Sequence, residues 1–399
     1  MTPATGWMKR LDRWLAPFLE VLGDKRRQKW APLYLLGLIL PGERKSMQPI
    51  SSRVAPEDAE QIHHFVATSP WETAPLEEVL CHKVDEMLGG ESSFLIIDDT
   101  ALPKKGKESV GVAHQYCGAL GKQANCQCMV SLTLAREDIP IPIALRLYMP
   151  KDWINDGERR ERAKVPDMIN YRPKWQIALD EIDRVREAGV RFGCVLADAG
   201  YGVCAEFRQG LSERGLHWAV GILSTNNMYG VNVSSLVPTK TTKMGAPRTS
   251  PQASEAPLSA ERFIAKHGRF RKVTWREGTK GTLRGTFAIV RVRPADGIET
   301  RKGSRLPGEP TWLVCERLEN GDRKYSLVNL PASASQKEIV GAIKSRWACE
   351  QAHQQMKEEL GLDHFEGRSW IGLHHHALLT MIALAFLQHL RITENKSAA

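Results

Sequence analysis

The run SFLIIDDT, residues 93–100, sets four large apolar side chains in front of two adjacent carboxylates. Short and rich in β-branched residues, it reads as a buried strand that ends in acid. Along such a strand Leu95 and Ile97 fall on one face and Ile96 and Asp98 on the other. Asp98 and Asp99 therefore point opposite ways, and only one of them can line a given site. CVLADAGYG, residues 194–202, repeats the theme, with Asp198 at the end of an apolar run and small residues after it. A third acid, Glu350, lies in SRWACEQAHQQMKEELG, residues 345–361, whose polar-apolar pattern reads as helix. Two strand-end aspartates and one helical glutamate can hold a pair of divalent cations, which suits attack on a phosphodiester.

The order of elements around these acids sets the fold class. After SFLIIDD come CMVSLTLA (128–135) and IPIALRLYM (141–149), both strand-like, then a helical stretch at 173–189. Strand FGCVLAD (192–198), helix CAEFRQGLSERG (204–215) and strand LHWAVGIL (216–223) follow. Three strands, then helix, strand, helix and strand imply an α/β fold: an RNase H-like mixed sheet flanked by helices. Residues 1–90 carry helical patterning and few strand signals, so a helical N-terminal domain is expected there. The catalytic core is expected over 91–225 and resumes as helices over 333–399. Between them, 226–332 reads as a β-rich insertion, built from FRKVTWRE, GTFAIVRVRP, TWLVCERLE and RKYSLVNLP. Its residues 238–260, rich in Pro, Ser, Thr and Ala, read as a flexible loop.

Composition is consistent with a polyanionic partner. The 399 residues hold 55 Lys+Arg against 46 Asp+Glu, a formal charge of +9. No uninterrupted apolar leader opens the sequence, and the apolar runs 31–40 and 377–390 are shorter than the ~20 residues of a membrane helix. The eight cysteines include no CxxC pair, which argues against zinc and for reduced thiols in a cytoplasmic protein. Three consecutive histidines, His374 to His376, would splay around a helix and make a poor metal site.

Several cations stand near the acids. Lys104 and Lys105 follow the first acid and could counter phosphate charge. Arg346, Glu350 and Lys357 lie at i, i+4 and i+11, within about 40° of one line on a continuous helix. Residues 262–305 hold 13 Lys/Arg against three acids, interleaved with aromatics. Arg269, Arg271, Lys272 and Arg276 are the candidates there for tracking a phosphate backbone.

Taken together these blocks resemble the DDE transposases of bacterial insertion sequences, in the branch whose third acid lies in a Tyr-x2-Arg-x3-Glu-x6-Lys signature. Arg346, Glu350 and Lys357 match that spacing, and Ile343 stands at the tyrosine position. IDDTALPKKGKESVGVAHQYCG, LADAGYG and KEELGLDHFEGRSWIGLHHH are similar to the corresponding blocks of one insertion-sequence group, so the resemblance spans roughly residues 30–390. It implies Asp99, Asp198 and Glu350 as catalytic metal ligands, Asp99 being preferred to Asp98 because the family acid directly precedes a threonine. It further implies two Mg²⁺ ions per site, with Mn²⁺ able to substitute, and a helical N-terminal domain, residues 1–90, that binds the element's ends. The expected partner is double-stranded DNA, both the element's terminal inverted repeats and the target, bound by a homodimer without a membrane. Tyr325, 25 residues before Glu350, stands near where related transposases carry an aromatic that holds a flipped base, with Trp312 as a competitor. The rival readings are an RNase H-like nuclease that cuts without joining, a DNA-binding regulator that no longer cuts, and, distantly, a glycosidase with two carboxylates.

Overall fold

A computed structural model describes residues 3–236, 251–278, 281–297, 299–301 and 304–398. Within it the chain divides into two compact units, Met1–Phe192 with Trp347–Ala399, and Gly193–Arg346.

The first unit opens with five helices: α1 (Pro3–Leu22), α2 (Lys25–Ile39), α3 (Met47–Val54), α4 (Ala59–Ala67) and α5 (Ala74–Leu88). Four strands follow: β1 (Gly90–Pro103), β2 (Ala113–Cys117), β3 (Lys122–Arg136) and β4 (Ile139–Leu147). Short helices α6 (Lys151–Ile154) and α7 (Gly157–Arg162) lead to α8 (Lys174–Glu187). After the second unit the chain returns as α13 (Trp347–Glu358) and α14 (Trp370–Ala398). β3 is the spine of this sheet, antiparallel to β1, β2 and β4. The apolar run of the sequence explains why: Leu95, Ile96 and Ile97 are fully buried, as are Leu134 and Leu132, the partners of Leu95 and Ile97, and Val130 further along β3. Covered on both faces, these strands need continuous rather than alternating apolarity.

The N-terminal helices do not stand apart. α2, α4 and α5 pack on α14, and α5 also packs on β4. α14 is longer than its apolar run suggested. By length and apolarity it could cross a membrane, yet most of that stretch is buried inside the unit. The three histidines are part of this interior. His375 lies 2.9 and 2.8 Å from the carbonyls of Val66 and Trp71, and His376 lies 2.8 Å from the Tyr34 hydroxyl. His375 thereby ties α14 to α4, and His376 ties it to α2.

The second unit begins with β5 (Phe192–Ala197), α9 (Ala199–Gly202), α10 (Ala205–Glu213) and β6 (Trp218–Ile222). β5 and β6 run parallel. Next come β7 (Asn227–Gly230), β8 (Ser235–Leu236), β9 (Gln252–Ala253), β10 (Leu258–Ser259) and α11 (Ala260–His267). The remaining elements are β11 (Arg271–Gly278), β12 (Gly281–Pro294), β13 (Glu299–Arg301), β14 (Ser304–Arg305), β15 (Thr311–Arg317), β16 (Arg323–Val328) and α12 (Gln336–Ser345). The β-rich insertion continues the sheet of the core strands: β16 pairs antiparallel with β6, and the order runs β5, β6, β16, β15, β12, β7, β10. β12 is long enough to hold β15, β11 and β7. Of the loop expected at 238–260, residues 238–250 lie outside the described residues, while 252–260 carry β9, β10 and the start of α11.

The chain is thus an α/β protein whose helices flank a mixed sheet. β1, β3 and β4, then α8, β5, α10 and β6, follow the RNase H-like order.

One charged cluster ties the helices of the first unit to its sheet. Arg146 on β4 donates to Glu77 of α5 (2.7 Å) and Glu181 of α8 (2.8 Å), and Arg184 donates to Glu181 (2.8 Å). Burial alone would raise the pKa of Glu77, but its hydrogen bonds and the charges of Arg146 and Arg184 prevail and lower it. A carboxylate with a lowered folded pKa contributes stability that is present above its unfolded value and lost as pH falls through the folded one. Arg146→Met should strand two nearly buried carboxylates and lower the unfolding free energy by about 3–5 kcal/mol in urea. It should also remove the part of the acid-side loss of stability that Glu77 contributes. An unchanged midpoint would mean that the cluster contributes nothing net.

Candidate active site

The pleat of β1 decides which acid meets which helix. Asp98 pairs in register with Ser131 of β3. The Ser131 hydroxyl donates to the Asp98 carbonyl at 3.0 Å and lies 2.8 Å from His353 Nε2 on α13. One turn earlier on α13, the Cys349 thiol donates to Asp98 Oδ2 at 3.1 Å. α13 therefore lies on the Asp98 face, and it carries Glu350, exposed, immediately after Cys349. Lys357, half-buried, is on the same helix, and burial lowers its pKa against the pull of Asp363.

Asp99 looks the other way. Its Oδ2 pairs at 2.5 Å with Nζ of Lys174, the first residue of α8. Burial works against the charge on Lys174, but Asp99 and Cys128 outweigh it and the pKa is raised. The Cys128 thiol is pushed up to about 12 by burial and by the Asp99 charge. The resemblance names Asp99 as the first acid, but the structure puts Asp98 on the face that α13 covers.

In the second unit Asp198 ends β5 and caps α9, its Oδ1 accepting from Tyr201 N at 3.3 Å. Two glycines let this turn lie directly on β6. A Cβ on Gly202 would sit 2.0 Å from the carbonyl of Gly221, and one on Gly221 would sit 2.7 Å from the Ala199 nitrogen. Backbone packed against backbone leaves Asp198 little freedom.

The stripe expected on one helix is divided. α12 starts at a capping box between Ser335 and Glu338 and ends at Ser345, with Arg346 as its C-terminal cap, and α13 starts at Trp347.

Other candidates find different employment. Lys104 donates to the carbonyls of Asp363 (3.2 Å) and Phe365 (2.6 Å), and burial lowers its pKa. It clamps a loop, whereas Lys105 is exposed in the turn beyond β1. Tyr325 is only 6% exposed, packed on β16 between Cys315 of β15 and Ile222 of β6. Held this way, the Tyr325 ring would have to leave its packing to hold a flipped base. The indole N–H of Trp312 faces the Leu330 and Pro331 carbonyls at 3.2 Å, with Arg291 over its ring. Arg269, Arg271 and Lys272 are exposed, and Arg276 is half-buried. Sequence reasoning missed Lys174, Ser131, Cys349 and His353. Their only signal was position: one turn around Glu350, the strand facing the first acid, and the first residue of a helix after a proline.

Among the described residues no three His, Cys, Asp or Glu side chains gather as a ready-made metal group. The three acids themselves are hard oxygen donors, a set that fits Mg²⁺ or Mn²⁺ better than a soft metal.

This arrangement has a family. The profile of the DDE superfamily endonucleases matches residues 17–282, well over half of the chain, and the chain belongs to that family. It is 28% identical over 225 residues to the probable transposase for insertion sequence element IS701 of Microchaete diplosiphon, a match covering 56% of each chain. The chain thus spans little more than half the length of that relative. Among solved structures it is similar to the piggyBac transposase in a synaptic complex with hairpin DNA, at 9% identity and a TM-score of 0.45, over 98% of this chain and 73% of that one. Similarity to the NurA nuclease of Sulfolobus solfataricus is lower, with a TM-score of 0.23 at 10% identity, over 73% of this chain and 83% of that one.

Gly202→Ala should force the β5–α9 turn off β6 and cost about 1–3 kcal/mol of stability. DNA cleavage should fall further than the folded fraction does, because Asp198 moves with the turn. Cleavage that merely tracks the folded fraction would show that the turn's position does not matter to chemistry.

Proposed function

We propose that the chain is a DNA transposase that cleaves at the ends of its insertion element and joins the freed 3'-hydroxyl to target DNA. The observation that carries this reading is Asp98 held against the helix that bears Glu350, in a member of the DDE endonuclease family. Asp198 supplies the remaining acid. Asp98 is favoured over Asp99 as the first acid because it shares a face with α13, which bears Glu350, whereas Asp99 faces Lys174 at the start of α8. Asp98, Asp198 and Glu350 would hold two divalent cations, Mg²⁺ or Mn²⁺. When bound, the cations would activate the attacking oxygen and stabilise the leaving one.

The chain's own residues do the rest. Arg346 and Lys357 hold phosphates near the acids, and Lys105 meets the backbone beside them. Lys174 pairs with Asp99 on the other face of β1, so that the strand presents a single carboxylate to the site. The helical segment 1–90 binds the element's terminal repeats, and two copies work together on double-stranded DNA.

Duplexes carrying the element's ends, incubated with Mg²⁺, test the reading. Asp98→Asn, Asp198→Asn and Glu350→Gln should each abolish cleavage while end binding persists, and Asp99→Asn should slow cleavage far less. Ca²⁺, larger and tolerant of irregular shells, should support binding with little cutting. Wild-type cleavage in excess chelator, or by Glu350→Gln, would refute the metal site. An inactive Asp99→Asn beside an active Asp98→Asn would return the first acid to Asp99. Cutting without joined products when target DNA is supplied would leave a nuclease that does not transfer strands.

A further inference from the structure

The basic segment around β11 does not present its charge on one side. Strand register sorts it. Lys272 pairs with Thr286 of β12, Thr286 with Arg317 of β15, and Arg317 with Arg323 of β16. Residues directly opposite one another share a face, so these four form a single row across four strands, three cations and a hydroxyl with no acid among them. At about 4.8 Å per strand the row is ~14 Å long, the axial rise of about four nucleotides of one DNA strand. Lys272, Arg317 and Arg323 are exposed.

Arg271 belongs to the other face, opposite Phe287. So does Arg276, because a bulge between Thr274 and Arg276 reverses the alternation. On that side Phe287 is buried against Trp275, Lys344 of α12 lies over the Trp275 ring, and Lys344 pairs with Glu316 at 2.8 Å. α12 covers that face, and the row with Lys272 is left open.

Two arginines directly opposite on neighbouring strands repel each other. Among the described residues no carboxylate forms an ion pair with either guanidinium. Instead both sit over one ring: Arg317 is 3.9 Å and Arg323 is 5.7 Å from the centroid of Phe270, two residues before Lys272. The aromatic face offsets part of the repulsion and holds the guanidiniums side by side. Such a pair is completed by an anion with several oxygens.

We infer that this open face, the row Lys272–Thr286–Arg317–Arg323 with Phe270 beneath it, grips the phosphate backbone of duplex DNA. The inference takes its partner from the transposase reading above and assigns the contact to the row, not to the run of neighbouring basic residues. Phosphate contacts made this way carry no sequence preference and position the duplex.

Binding of a fluorescent duplex across a series of salt concentrations tests it, with two double variants that remove equal charge. Arg317→Gln with Arg323→Gln should weaken binding and flatten the slope of log K against log salt by about 1.8, at about 0.9 per lost contact. Arg271→Gln with Arg276→Gln should leave the slope near that of the parent. Arg317→Lys with Arg323→Lys should restore most of the slope, which separates charge from misfolding. Equal effects of the two Gln pairs, or none from the first, would overturn the inference while leaving cleavage by the parent protein, and the function, intact. A parent that binds duplex through this row but never cuts would refute the function and keep the surface. A parent that does not bind duplex DNA would overturn both.

Discussion

Everything proposed for the first unit depends on the pairing of β1 with β3. Ten successive residues pair without a bulge, from Phe94 with Ala135 to Pro103 with Cys126. Because side chains alternate with a period of two, a slip of one residue would exchange Asp98 and Asp99 between the two helices that meet them. The register is held by side chains as well as by the ladder. Ser131 ties Asp98's own carbonyl to α13, and Asn125 donates to the Lys104 carbonyl at 2.9 Å where β1 runs out. Burial of Leu95, Ile96 and Ile97 makes any slip expensive, since it would turn a carboxylate into the core.

Not every positive charge in this basic chain faces outward. Lys45 donates to the carbonyls of Leu38 (2.5 Å) and Leu40 at the end of α2. Burial and the neighbouring Arg53 bring its pKa down to about 8. Lys104 does the same for the Asp363 and Phe365 carbonyls, and Arg53 for the loop after α2. Carbonyls left over at helix ends and in tight loops attract cations. Part of the surplus of Lys and Arg therefore organises the first unit, and net charge alone overstates what is offered to DNA.

The order of strands and helices was legible because the buried strands are written as unbroken apolar runs. β2 was missed: Ala113–Cys117 mixes polar and exposed residues and carries no apolar run to mark it. α9, four residues with two glycines, carries no periodicity to detect. Alternation showed that Asp98 and Asp99 oppose each other, but which one meets α13 depends on packing between elements far apart in sequence. The same limit applies to Tyr325. Nothing local says that β16 sits between β15 and β6, so its burial was invisible. The basic segment 262–305 was recognised from composition. Its division between two faces required the bulge at Thr274–Arg276 and the partners Arg317 and Arg323, which lie outside the segment.

The central claim is that β1 offers Asp98, and not Asp99, to the cations beside Glu350. Titration of Mn²⁺ into the protein bound to element-end DNA, followed by electron paramagnetic resonance, measures this without relying on cleavage. The account predicts that the parent and Asp99→Asn bind Mn²⁺ alike and that Asp98→Asn loses the bound signal. Retention by Asp98→Asn together with loss by Asp99→Asn would contradict it.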